Sequence, residues 1–263
     1  MIEVAGGVPV PVPLREEQDF SFDLEVFDRL VSERTRMIVL NSPSNPTGGV
    51  MPLSALEHIA EVACKRDFWV LSDEIYARLV YEQAAPSIVS LPGMAERTII
   101  CDGFSKTYAM TGWRLGYGIM PRALAERVEL LLTHSVGCTA SFTQIAGIEA
   151  IEGPQEQVDA VVAEYKCRRD ALVSGLNEIP GVRCRMPQGA FYVFPNVSAF
   201  GYTSDWLAEY LLEEAGVAVL PGTSFGKNGE GYLRLCFANS LENILLALEK
   251  MATALGKLKG KVV

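Results

Sequence analysis

Three short apolar runs constrain this chain more than any other feature: Met-Ile-Val-Leu at 37–40, Phe-Trp-Val-Leu at 68–71 and Thr-Ile-Ile-Cys at 98–101. Four apolar residues bounded by turn formers read as a buried strand. Helical spacing fills the first gap, with Ser54 as N-cap and Glu57 as its capping-box partner. Strand, helix, strand in that order predicts an α/β fold with a mostly parallel sheet. Ligands of such sheets sit beyond the carboxyl ends of the strands. Each run here is followed by a chemically marked residue: Asn45, Asp73 and Lys106. The expectation is that these ends converge on one crevice.

Lys106 stands among Gly103, Ser105 and Thr107. Partial desolvation in such surroundings disfavours an ammonium and lowers its pKa. That makes a nucleophile for a carbonyl carbon, the chemistry of Schiff-base lysines. Arg114, between Trp113 and Leu115, can grip a phosphate through two parallel bonds. Arg234 is centred in the apolar run Tyr232-Leu233-Arg234-Leu235-Cys236-Phe237. A cation there is costly unless paired. It is either half of a buried ion pair or the binding group for an anionic ligand.

The chain has 263 residues, 49% of them hydrophobic, with a net charge of −9. That charge disfavours nucleic acid, which requires a basic face. The one basic cluster, at 257–261, reads as a frayed, solvated end. No apolar run reaches membrane-spanning length and no leader pattern opens the sequence, so a cytoplasmic location is the default expectation. Six cysteines without a C-x-x-C pair predict buried free thiols. His58 and His134 are too far apart in the sequence to suggest a metal.

Proline-rich residues 6–14 read as an edge strand. Residues 24–31 and 123–133 carry helical stripes, the latter through Leu124, Val128, Leu131 and Leu132. A short helix is expected at 144–151 and a long one at 155–177, stopped by Ile179-Pro180-Gly181. Strands at 191–194 and 232–237 and a helix at 205–215 precede a last helix. Its buried face is marked by Leu241, Ile244, Leu245, Leu248 and Met251. The division is a large domain over 1–153 and a connector helix with a small α+β domain over 154–263.

The run from Asp102 to Gly118, with Ser105-Lys106 followed by Met110-Thr111-Gly112-Trp113-Arg114-Leu115-Gly116, resembles the lysine motif of class I/II aminotransferases. These are enzymes of pyridoxal 5'-phosphate (PLP). Asn41-Ser42-Pro43-Ser44-Asn45-Pro46-Thr47-Gly48, Asp73-Glu74-Ile75-Tyr76 and the Arg234 strand resemble further motifs of the family. So do Pro187–Phe194 and Pro221–Gly226, its small-domain strand and active-site loop. The resemblance implies that Lys106 holds PLP and then moves the α-proton. It implies Asp73 under the pyridine nitrogen, Asn45 and Tyr76 on the phenolate oxygen, and Arg114 on the phosphate. Arg234 would clamp the α-carboxylate of an amino-acid or 2-oxo-acid substrate, and the family often has a cis peptide before the proline equivalent to Pro46. No metal is implied; a homodimer is.

The resemblance covers only the latter two-thirds of the family. Its N-terminal arm, phosphate-cradling turn and ring-stacking aromatic have no counterpart, so Met1 reads as an internal position and residues 1–263 are expected to retain PLP weakly. Gly103 stands where many relatives carry a phosphate-binding serine, which leaves Ser105 as a substitute. A PLP-dependent carbon–sulfur lyase would share all these residues. A ligand-sensing domain or a non-catalytic remnant are the readings outside enzyme chemistry.

Overall fold

The computed structural model describes residues 1–258. Strands β1 (Leu14–Arg15) and β2 (Ser21–Phe22) form a small antiparallel hairpin. Helix α1 (Leu24–Leu30) follows, capped by the Asp23 carboxylate, which accepts from Val26 N–H at 3.0 Å. Next come β3 (Met37–Asn41), α2 (Leu53–Arg66), β4 (Trp69–Asp73) and β5 (Thr98–Gly103). The turn helix α3 (Phe104–Thr107) carries Lys106, and β6 (Gly116–Ile119) returns beside β5. The sheet order is β3-β4-β5-β6, with the first three parallel and β6 antiparallel.

Helices α4 (Arg122–Ser135), α5 (Ser141–Glu152) and α6 (Glu156–Glu178) lead to a second sheet of β7 (Tyr192–Val193), β8 (Leu220–Pro221) and β9 (Leu233–Cys236). Its order is β7-β9-β8, all antiparallel. Helices α7 (Ser204–Ala215) and α8 (Leu241–Leu258) pack over it. Two apolar cores result. One joins Phe27, Ile59, Phe68, Val70 and Met94 beneath the parallel strands. The other joins Leu176, Leu207, Leu211, Leu233, Phe237 and Met251, and it reaches back to enclose Tyr76 and Leu79.

Several local expectations need correction. Residues 7–13 form no strand; pairing begins at Leu14, because prolines at 9, 11 and 13 remove the donors a ladder needs. Helix α2 starts at Leu53 with Pro52 at the cap, whose carbonyl accepts from Ala55 and Leu56, so Ser54 lies inside the first turn and does not cap. Strand β3 is not buried on both faces: Met37 and Val39 are exposed while Leu40 is covered. The stripe on α4 is half-buried at Leu124 and Val128 only, and Leu131 is 66% exposed. In α8 the buried face runs through Ile244, Leu248, Met251, Ala254 and Leu255, leaving Leu241 and Leu245 outside. The thiols are all free, yet only Cys184 is buried. Of the basic cluster at 257–261, Lys257 lies 3.7 Å from Glu214; residues 259–261 are outside the described region.

No helix among the described residues is long and apolar enough to cross a membrane. His58 Nε2 lies 2.8 Å from the Asp28 carboxylate, and no group of three His, Cys, Asp or Glu side chains is placed to hold a metal among the described residues.

Candidate active site

Parallel pairing sets Asn41 opposite Asp73 and Asp73 opposite Cys101, so β3 and β4 end level while β5 runs two residues further, to Gly103. The three marked residues therefore open on the same edge. Beyond β3 the chain folds back on itself: Asn41 Oδ1 accepts from Asn45 N–H at 2.8 Å, and Asn41 Nδ2 donates to the Asp73 carbonyl at 3.3 Å. The Asn45–Pro46 peptide is cis, as expected, and Ser42–Pro43 is cis as well. Gly48 closes this turn with φ +69°, and its carbonyl accepts from both Gln188 and Gly189 at 2.9 Å. The Asn45 turn is thereby tied to the loop that leads into β7.

Asp73 Oδ1 accepts from Ile75 N–H at 3.2 Å. Its neighbour Glu74 is engaged elsewhere, accepting from Ser72 Oγ at 2.9 Å and Ser87 Oγ at 2.6 Å. Of these two carboxylates, Asp73 is the one that ends the strand without a side-chain donor of its own. Its charge is felt around it: burial first and then the Asp73 charge push the Cys101 thiol up, and Asp102 is raised by burial and, last, by Asp73.

Tyr76 is 3% exposed, and its hydroxyl lies 3.1 Å from the Tyr192 hydroxyl. Burial above all holds the Tyr76 phenol far above its ordinary value, so it stays protonated. The ring of Tyr76 meets Phe191 edge-on at 5.3 Å. Lys106 Nζ sits 5.7 Å from the centroid of that same Phe191 ring. Lys106 is half-buried and makes no hydrogen bond or ion pair among the described residues. An amine so placed is available to a ligand.

Arg234 projects from β9 on the face opposite Leu233 and Leu235, which are buried. Its guanidinium carbon lies 4.6 Å from the centroid of the Tyr192 ring and 5.0 Å from that of Phe225. Nη1 donates to Asn45 Oδ1 at 3.1 Å, while Nε is buried without a partner. No carboxylate pairs with it among the described residues, which removes the structural ion-pair reading. A buried, unsatisfied guanidinium donor is costly, and an anionic ligand would satisfy it.

Asn45, Tyr76, Lys106 and Arg234 are thus linked through Phe191 and Tyr192, and Asp73 joins them through Asn41, which bonds both the Asp73 carbonyl and Asn45 N–H. Arg114 and Ser105 stand less closely engaged. Arg114 is exposed in the turn before β6, at φ +54°, with Nη1 donating to its own Thr111 carbonyl at 2.7 Å. Ser105 is half-buried, and its hydroxyl bonds no protein group among the described residues. Gly103 has a steric reason to replace serine: a Cβ there would lie 2.9 Å from Gly116 Cα and 3.0 Å from the Leu115 carbonyl. Sequence reasoning did not assign Tyr192 a role. An aromatic in a short apolar strand looks like core, and only the contact across the crevice distinguishes it.

The donor set suits PLP at two of its three ends. Lys106, without a hydrogen-bond or ion-pair partner among the described residues, could take its aldehyde, and the Asp73 carboxylate, the protonated Tyr76 phenol and the Asn45 amide could serve its ring. The phosphate end has Arg114 and Ser105, with Arg114 turned toward Thr111. The fold is that of an α/β protein that brings together a lysine and an arginine neither of which meets a carboxylate among the described residues. The family model described as "Aminotransferase class I and II" matches residues 1–251. The chain is 42% identical over 257 residues to a putative aminotransferase, YugH, of Bacillus subtilis, covering 98% of this chain and 66% of that protein. It is likewise 42% identical to an aspartate aminotransferase of Pyrococcus horikoshii, covering 96% and 65%. Among solved structures, the aromatic aminotransferase of Pyrococcus horikoshii superposes with a TM-score of 0.95 at 41% identity, over 98% of this chain and 70% of that one. The chain belongs to the class I and II aminotransferase family. It spans about two-thirds of the length of the relatives it matches.

Proposed function

We propose that this chain provides the lysine-bearing crevice of a PLP-dependent aminotransferase that moves an amino group between an L-amino acid and a 2-oxo acid. The observation that carries the reading is Arg234: a guanidinium without a carboxylate partner, half-sandwiched by aromatics, beside Asn45 and on the same crevice as Lys106. PLP, when bound, supplies the electron sink that lets the substrate's α-carbon lose its proton. Lys106 Nζ would hold the cofactor by its aldehyde carbon and would carry the substrate's α-proton as base and then acid. Asp73 would hold the ring nitrogen protonated. Tyr76 and Asn45 would donate to the phenolate oxygen, and Arg234 would orient the substrate through its carboxylate. Arg114 and Ser105 would serve the phosphate. In this reading residues 1–153 form the large domain and 154–263 the connector and small domain. A homodimer in the cytoplasm is part of the reading on resemblance alone.

The test is chemical. Reduction of the PLP-loaded protein with borohydride, followed by peptide mapping, is expected to place the pyridoxyl group on Lys106. A label on another lysine overturns the assignment.

A further inference from the structure

Tyr192 makes two contacts with the site through two parts of one side chain. Its hydroxyl lies 3.1 Å from the Tyr76 hydroxyl, and its ring lies under the Arg234 guanidinium at 4.6 Å. The residue is buried in β7 and held by β9, with Tyr192 paired opposite Cys236. Tyr76 comes from the turn after β4, so the hydroxyl contact joins the two sheets. We propose that Tyr192 is a dual positioning residue, its hydroxyl aiming the Tyr76 O–H at the ligand and its ring supporting the cation that grips the ligand's carboxylate. This rests on the PLP reading above and adds a residue to it.

The two halves follow from different physics. Two hydroxyls 3.1 Å apart share one hydrogen bond, and only one can donate. The positive charge against the Tyr192 ring polarises its O–H bond and favours it as the donor. Tyr76 then accepts, and its own proton is left to point into the crevice. A hydroxyl that accepts one hydrogen bond is a stronger donor in the next. The ring acts on Arg234 by another route. A guanidinium over an aromatic face keeps its in-plane N–H groups free while its flat face is shielded from water. That arrangement leaves Nη and Nε donors for a carboxylate.

The two roles separate by substitution. Tyr192→Phe removes the hydroxyl and keeps the ring; Tyr192→Leu removes both. Weakening a donor to the phenolate oxygen of PLP makes that oxygen more basic. In the PLP-loaded protein, Tyr192→Phe is therefore expected to raise the pH midpoint of the bound chromophore by about half a unit. Its affinity for an unreactive carboxylate, 3-phenylpropionate, should stay within about twofold of the unaltered protein. Tyr192→Leu should shift the midpoint similarly and weaken 3-phenylpropionate about tenfold, the scale of a partly desolvated cation–π contact. An unshifted midpoint in Tyr192→Phe, or equal loss of carboxylate affinity in both variants, overturns the proposal.

Two measurements on PLP-free protein keep this distinct from the parent reading. Calorimetric titration with 3-phenylpropionate tests the ring: Tyr192→Leu binding as tightly as the unaltered protein refutes it. A thermal double-mutant cycle between Tyr76→Phe and Tyr192→Phe tests the hydroxyl pair: additive shifts refute it. Failure of the unaltered protein to give a titrating PLP band even at saturating PLP overturns the Lys106 assignment, while these two results still decide the role of Tyr192.

Discussion

Arg234 Nη1 donates to Asn45 Oδ1 at 3.1 Å across 189 residues of sequence, from one sheet to the turn that leaves the other. This bond orients the guanidinium, and the aromatics Tyr192 and Phe225 confine it. The cation is held in place with no carboxylate against it among the described residues.

Replacing Arg234 by Ala is expected to weaken amino-acid and carboxylate ligands by about 2–5 kcal/mol, the range for truncating a buried charged contact. PLP retention should change little, because Arg234 is assigned to substrate. Asn45→Ala should cost carboxylate affinity about 1 kcal/mol through lost orientation. Titration calorimetry with 3-phenylpropionate and absorbance of bound PLP read the two effects separately; loss of PLP with unchanged carboxylate affinity would reverse the assignment.

Glu16 is 5% exposed and accepts from Arg183 at 2.8 Å, Asn196 at 2.9 Å and Tyr232 at 2.9 Å. The Arg183 hydrogen bond is the largest influence and, against the cost of burial, lowers its carboxyl from the ordinary 4.5 to about 2. A depressed folded-state value means the contribution is fully present above 4.5 and is lost as pH falls toward about 2. Melting temperatures measured across that window should therefore fall with acidification. Glu16→Gln should be less stable near neutrality and show a flatter acid limb. Parallel acid limbs for the two proteins would reject the role.

Arg169 is 2% exposed in α6 and donates to both Glu82 oxygens at 2.7 and 2.9 Å, to Asp170 and to the Pro187 carbonyl. Its guanidinium also lies 4.6 Å from the Tyr81 ring centroid. Arg169→Ala is expected to cost about 1–3 kcal/mol in urea unfolding, since the Pro187 carbonyl loses its donor and the buried side chain leaves a gap, while the half-exposed Glu82 and Asp170 carboxylates are rehydrated. Arg169→Lys should recover little, because an ammonium cannot reproduce the two-pronged geometry. A near-neutral alanine variant would show that the cluster is solvated.

Gly48 has φ +69°, and a Cβ there would lie 2.3 Å from Pro187 Cβ and 2.9 Å from the Tyr192 carbonyl. Gly48→Ala is expected to destabilise by about 1–3 kcal/mol through overpacking and backbone strain. It should also weaken carboxylate binding, because the same turn carries Asn45. Stability lost with binding intact would place the strain elsewhere than in that turn.

The strand ends were legible in the sequence because short apolar runs broken by Asn, Asp or Lys leave little choice of topology. Parallel pairing then brings those ends to the same edge of the sheet. Arg234 was legible as an anomaly, a cation in an apolar strand. What escaped was whatever depends on which neighbour covers a face. Leu131 on α4 and Val39 on β3 satisfy the same periodicity as buried residues, and periodicity alone does not say which stripe is packed. Tyr192 escaped because an aromatic that fills a core and one that aims a hydroxyl are written with the same letter. Ser54 misled because a good capping residue competes with a proline two positions earlier, which already fixes the helix entry.

The Glu16 cluster also has a history during synthesis. Its farthest hydrogen-bonding partner, Tyr232, lies 216 residues further along the chain. At about 5–20 residues per second on the ribosome, that interval is roughly 10–40 s. Arg183 and Asn196, 167 and 180 residues on, emerge before Tyr232, so at the end of the interval the acidic side chain lacks only its last partner. The hairpin that bears it can form early, but its anchorage to the β9 region waits for Tyr232, so a ribosome stalled before that residue holds a nascent chain in which Glu16 has only Arg183 and Asn196 to bind.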